Sequence, residues 1–178
     1  MSKKKLNFDV DQNIFKHRRL FLVGEVEEDN IAILIKQLLV LDGINKKPIY
    51  LYINTPGGGV SDGFALIDTI THIKSPVYTV IIGEACSMGG IISIVGKRRF
   101  ITQHAFWMAH DMAGGIWGDY SGKVEYRAPQ IQRIWEMLAE HLKKYTKLTD
   151  KDIQTARNGE LWLSPEECIK KGVVDKIL

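Results

Sequence analysis

From Arg19 onward the apolar positions switch between short continuous runs and stripes spaced three and four apart, which is the pattern of an α/β protein. Residues 20–23 predict a buried strand. Ile31, Leu34, Ile35, Leu38 and Leu39 follow at the i, i+3, i+4, i+7, i+8 spacing of an amphipathic helix. Residues 49–53 predict a second strand, 64–73 a second helix with Leu66, Ile67 and Ile70 inward, and 77–82 a third strand. Two consecutive βαβ units result, with right-handed crossovers over a parallel sheet, and ligand sites in such sheets lie beyond the carboxyl ends of the strands.

Further along, Ile91, Ile92, Ile94 and Val95 mark a small apolar helix, and residues 99–101 and 106–109 read as a strand pair. Residues 113–118, with three glycines among apolar side chains, alternate too poorly for a core strand. The longest helix is predicted from about residue 123 to 145, with Ile131, Ile134, Trp135, Leu138, Leu142 and Tyr145 on one stripe and Pro129 near its start. Thr149 with Asp152 makes a capping-box pattern, and Ser164, Pro165 and Glu167 supply an N-cap, a proline at N1 and an acid at N3. Gly172 stops that helix, and residues 173–177 predict a last strand.

Composition narrows the class. The chain has 178 residues, 45% hydrophobic and 25% charged, so one soluble domain is expected, burying roughly 70% of the surface of its unfolded chain. The net charge is +3, and Lys3, Lys4 and Lys5 sit together at the N-terminus without aromatic interleaving, which gives no reason to expect nucleic acid. The longest apolar candidate, residues 31–40, is interrupted by Lys36 and Gln37, so no membrane span is expected. The N-terminus has no apolar signal region. Cys86 and Cys168 fall in no metal-binding spacing and read as free thiols of a cytoplasmic protein, with no metal and no cofactor.

Three segments carry candidate chemistry. Asn54-Thr55-Pro56-Gly57-Gly58-Gly59 follows a strand and precedes a helix, and its glycines allow backbone N–H groups to point at a ligand. The contiguous glycines match neither a dinucleotide fingerprint nor a Walker loop. Gly83-Glu84-Ala85-Cys86-Ser87-Met88-Gly89-Gly90 opens the small apolar helix, where Ser87 reads equally as an N-cap or as a nucleophile with the Met88 N–H as oxyanion donor. In Met108-Ala109-His110, His110 ends a strand just before a glycine-bearing segment, unlike the other four histidines.

Together with Leu163-Ser164-Pro165-Glu166 and Gly172-Val173-Val174-Asp175, these segments resemble the ClpP family of serine peptidases, in one unbroken order from about Arg19 to Leu178. The resemblance implies an α/β ClpP/crotonase-type fold of repeated βαβ units, with a protruding strand-helix handle at about residues 112–146. It divides the chain into an axial-loop-like N-terminal segment, 1–18, and a single peptidase domain, 19–178. It implies Ser87 as nucleophile, His110 as general base, and the N–H groups of Gly58 and Met88 as oxyanion hole. The partners it implies are copies of the same chain in heptameric rings stacked as a tetradecamer, a Clp-type AAA+ unfoldase ATPase, and unfolded polypeptide substrates.

The sequence departs from the family at the third triad position, where an aspartate is usual and Glu160 stands here, after Asn158 and Gly159 in place of a charged pair. Glu160 is then the expected orienting carboxylate, with Gly159 allowing the backbone to withdraw by the extra methylene. Asp111, beside His110 on the strand, points to the opposite face. Two alternatives differ in class: a catalytically silent ring subunit, and a crotonase-like acyl-CoA enzyme without a triad.

Overall fold

In the computed structural model the backbone is described for residues 10–112 and 121–178, and side chains for 10–112 and 128–178. The chain runs through α1 (Val10–Lys16), β1 (Arg19–Val23), α2 (Glu28–Ile44), β2 (Ile49–Thr55), α3 (Val60–His72), β3 (Val77–Cys86) and α4 (Met88–Ser93). It continues through β4 (Arg98–Ile101), β5 (Phe106–His110), α5 (Ser121–Tyr145), α6 (Asp150–Asn158), β6 (Glu160–Leu163), α7 (Pro165–Lys170) and β7 (Lys176–Ile177).

The strict alternation of β1 and β2 buries Leu20, Leu22, Ile49, Leu51 and Ile53 and turns Phe21, Tyr50 and Tyr52 outward. The inward face is covered by α2, α3 and α4, through side chains such as Leu34, Leu38, Leu66, Ile67 and Ile92. On the outward face Phe21 stacks on Tyr52 at 5.0 Å and Tyr50 meets Tyr78 edge-on at 5.4 Å. Burying a Leu or Ile side chain contributes about 1.5–3 kcal/mol, so this inner layer is the main source of stability.

β1, β2, β3, β4 and β7 lie side by side in that order, all parallel. β3 is the exceptional strand. Tyr78 to Ile81 pair with β4, whereas Glu84, Ala85 and Cys86 pair with β5, and β6 runs antiparallel on the far side of β5. The β2–β3 register slips between Ile53 and Thr55, and the Asn54 side chain fills the slip, its Oδ1 accepting from the Glu84 N–H at 3.2 Å. The sheet therefore forks at the end of β3, immediately before Ser87.

Several elements differ from the expectation. Residues 83–86 are strand, because β5 supplies a partner that periodicity does not reveal. Residues 99–101 and 106–109 are strands but do not pair with each other; they flank successive stretches of β3. The last strand shrinks to Lys176 and Ile177, while Val173 and Val174 are buried in irregular backbone. Residues 10–18 contain α1, whose Phe15 packs on the core, and lead to Arg18, whose guanidinium donates to Leu41 O, Lys47 O and Ser75 Oγ. Both predicted caps form, each as a complete capping box, with Thr149 Oγ and Ser164 Oγ accepting from the Asp152 and Glu167 N–H groups. The glycine-bearing stretch 113–118 lies outside the described residues.

The predicted stripe of α5 faces the body of the chain. Trp135 and Leu138 are each only 5% exposed, because the second half of α5 packs back on the body, where His141 meets Phe64 edge-on at 5.5 Å. They are core residues of this chain.

Candidate active site

Ser87 occupies the junction between β3 and α4 at φ 54° and ψ −124°, a backbone conformation that is uncommon for a side chain larger than glycine. Two backbone bonds hold it there: its N–H donates to Met108 O at 2.9 Å, and its carbonyl accepts from the Ile91 N–H. The side chain makes no capping bond to α4. The hydroxyl cap that the sequence offered as one reading is thus not formed. The hydroxyl is left for the adjoining cavity, of about 450 Å³, which Ser87 lines together with His110, Met88 and Gly58. Val60, Ile91, Met112 and Leu138 give the cavity an apolar wall, and Glu25 also lines it.

His110 is brought there by β5. Trp107, on the opposite face of that strand, is fully buried and donates its indole N–H to Gly90 O at 3.2 Å, tying β5 to α4 and so to Ser87. Among the described residues neither Ser87 Oγ nor the His110 ring has a side-chain hydrogen bond. Catalytic bonds are often long in a ligand-free site and tighten when substrate arrives.

The glycine loop supplies backbone donors. Gly57 and Gly58 have φ of 102° and 146°, which L side chains rarely adopt. A Cβ on Gly57 would stand 2.6 Å from Ser87 Cβ, so this glycine permits the loop to touch the serine turn. Val26 bridges to Gly58 in parallel fashion, its N–H donating to Gly57 O at 2.8 Å and its carbonyl accepting from the Gly59 N–H at 2.6 Å. That pattern uses the groups on either side of Gly58, and leaves its own N–H turned away from Val26. Met88 is the first residue of α4, so its N–H has no intrahelical acceptor. Gly58, Met88 and Ser87, which carry these two N–H groups and the hydroxyl, line the same cavity.

The expected carboxylate is placed differently from the rest. Antiparallel pairing sets Glu160 directly across from His110, on the same face of the β5–β6 ribbon. Its Oε2 accepts from the Trp162 indole N–H at 2.7 Å, and its side chain is exposed. Gly159 has an extended φ of −174°, and a Cβ there would find its nearest neighbour at 3.9 Å, so that position does not require glycine. Asp111 accepts from the Met112 N–H through Oδ1, while its own N–H donates to Ala156 O.

Cys86, next to Ser87, is buried, and burial first, then the Glu84 charge, push its thiol up to about 12. It stays protonated near neutral pH and is a poor nucleophile. Among the described residues no group of three or more His, Cys, Asp or Glu is arranged to hold a metal ion.

A family model for Clp protease matches residues 2–178. The chain belongs to the Clp protease family. ATP-dependent Clp protease proteolytic subunits from Streptococcus pyogenes serotype M5 (strain Manfredo) and from Streptococcus equi subsp. equi (strain 4047) are each 36% identical to it over 185 residues, spanning 99% of this chain and 92% of theirs. The forked α/β sheet is consistent with the fold of this Clp protease family, and the crotonase alternative loses its support. The contribution of Glu25, Met112 and Leu138 to the cavity of this Clp protease chain had no local signal in the sequence, since tertiary packing alone brings them there. Trp162 was legible in principle: in Glu160-Leu161-Trp162-Leu163, strand alternation puts residues 160 and 162 on one face.

Proposed function

We propose that this chain is the proteolytic subunit of an ATP-dependent serine endopeptidase, with Ser87 as nucleophile and His110 as general base. The observation that carries the reading is a serine at positive φ, its hydroxyl unused by the helix it begins, sharing a cavity with His110 and the Gly58 and Met88 N–H groups. In acyl transfer the Ser87 proton passes to a ring nitrogen of His110 as Oγ bonds to the scissile carbonyl carbon. The carbonyl oxygen takes up negative charge, which the two N–H groups stabilise. The protonated His110 returns the proton to the leaving amine, and water then releases the acyl group by the same steps. Glu160, across from His110, orients the ring and favours its positive charge.

The chain acts as one copy among many. Heptameric rings stacked as a tetradecamer enclose the sites, and an AAA+ unfoldase feeds unfolded polypeptide to them, so that ATP is consumed by the partner. The relatives' printed name, an ATP-dependent protease's proteolytic subunit, supports this division of labour. The apolar wall of Val60, Ile91, Met112 and Leu138 suits an apolar side chain at the cleaved position.

Treatment with a fluorophosphonate followed by peptide mapping tests the reading. A single adduct at Ser87 is expected, and Ser87→Ala should lower peptide turnover by roughly 10⁴-fold or more while the oligomer persists. An unmodified Ser87, or substantial turnover by Ser87→Ala, rejects the serine mechanism; an unmodified Ser87 within intact rings identifies a silent scaffold subunit.

A further inference from the structure

The sequence placed a glutamate where an orienting carboxylate belongs, and a glutamate has one more rotor to control than an aspartate. In β6 that rotor is under restraint. Glu160 and Trp162 are two residues apart on a strand and share its face, and the indole N–H reaches Glu160 Oε2 at 2.7 Å. Across the ribbon Glu160 faces His110 and Trp162 faces Met108, which lines the cavity with Ser87 and His110. Glu160 is exposed and has no cation bonded to it among the described residues, so this bond is what defines the carboxylate's direction there.

We infer that Trp162 is a positioning residue for the reaction: its indole N–H ties down Oε2 of Glu160 and leaves Oε1 to receive the N–H of His110. The inference rests on the serine reading above and adds to it the device by which a glutamate serves this position. A carboxylate accepts several hydrogen bonds at once, so the indole and the imidazole need not compete for one oxygen. Phenylalanine at residue 162 would keep an aromatic ring opposite Met108, remove the donor and give up part of the ring surface, and the Glu160→Gln background separates the two losses.

The test is a double-mutant cycle on the full-length assembly, with a short fluorogenic peptide as substrate and Trp162→Phe, Glu160→Gln and the double variant compared for kcat and KM. Trp162→Phe should lower kcat roughly tenfold at unchanged KM, the low end for a bond to a charged group, and should cause no further loss in the Glu160→Gln background. Wild-type kcat in Trp162→Phe overturns the inference. So does an equal loss in both backgrounds, which means packing alone, and so does a rise in kcat, which means the indole withholds Glu160 from His110. Should Trp162→Phe not assemble, the ¹⁵N-labelled indole N–H resonance of Trp162 decides: it should move on Glu160→Gln, and an unmoved resonance overturns the inference. Fluorophosphonate labelling separates the two levels. An unlabelled wild-type Ser87 sinks the serine reading itself and this inference with it, whereas a labelled Ser87 with a silent Glu160→Gln removes only the Glu160–Trp162 device.

Discussion

At the scale of single residues, the site depends on backbone conformations that side chains resist. Gly58 stands at φ 146°, and a Cβ there would be driven against Val26 O and come within 2.8 Å of Val26 N, both backbone atoms that cannot swing aside. Gly58→Ala should therefore shift the loop and its N–H. The expected result is a kcat loss of roughly 10²-fold or more, as for removal of an oxyanion donor, plus strain of about 1–3 kcal/mol read as a lower Tm. Gly159→Ala is the matched control, because its φ is extended and the space beside it is open. Its kcat and Tm should stay near wild type, and a comparable loss there would show that activity is sensitive to any added methyl group. Ser87 carries the same kind of strain in reverse, a non-glycine residue at positive φ, held by Met108 O and Ile91 N–H and by the packing of Trp107 behind them.

At the scale of elements, the C-terminal segments matter because β6 brings Glu160 up to His110 and α6 launches β6. α6 begins in a complete capping box: Asp152 accepts from the Thr149 N–H at 2.9 Å and returns its own N–H to Thr149 Oγ, while Lys171 reaches it from the end of α7 at 2.7 Å. Burial works against the Asp152 charge, but the bonds from Lys171 and Thr149 outweigh it and hold its carboxyl down to about 2. A folded-state value below the ordinary 3.8 stabilises the fold at pH above that range, and the contribution is lost as pH falls toward about 2. Asp152→Asn should cost about 1 kcal/mol near neutral pH, a Tm lower by about 2–4 °C, with the difference shrinking on acidification. Thermal melts at several pH values check it, and a difference that persists unchanged at low pH would mean that the carboxylate charge is not the cause.

At the scale of the whole molecule, the described surface is apolar in two places. On α2, Ile33, Leu39, Val40 and Ile44 are exposed, and on the open side of the sheet so are Phe21, Val23 and Tyr50. Side chains of this kind in groups are unusual on a chain that works alone. Trp135 and Leu138, by contrast, are buried within this chain and contribute nothing to that surface. Sedimentation velocity should reveal a species many times the 20.2 kDa of the chain, of heptamer or tetradecamer mass, and a strict monomer at micromolar concentration would defeat the proposal of rings. In the assembly short peptides should be cleaved without help and folded proteins only with the AAA+ partner and ATP. Folded-protein cleavage in the absence of that partner would contradict an enclosed chamber.

What the sequence determined by itself was whatever depends on neighbours along the chain. The period of apolar positions set β1, α2, β2 and α3, because burial on one face imposes a repeat of two or 3.6 residues. Thr149 and Ser164 announced the starts of α6 and α7, since a cap acts over three residues. Ser87, His110 and the Met88 N–H were singled out by the motifs around them, Gly58 and Glu160 only by the family resemblance, and the cavity and the β5–β6 register bring these residues to one region. Tertiary structure decided what depends on contacts distant in sequence: the extension of β3 to Cys86 by pairing with β5, the burial of Trp135 and Leu138, and the bridge from Val26 that turns the Gly58 N–H outward. It also decided the direction of the Glu160 carboxylate. Strand alternation fixes which face a side chain leaves from, but the oxygen's partner is settled by whichever donor folding brings within reach, and here that donor is the Trp162 indole.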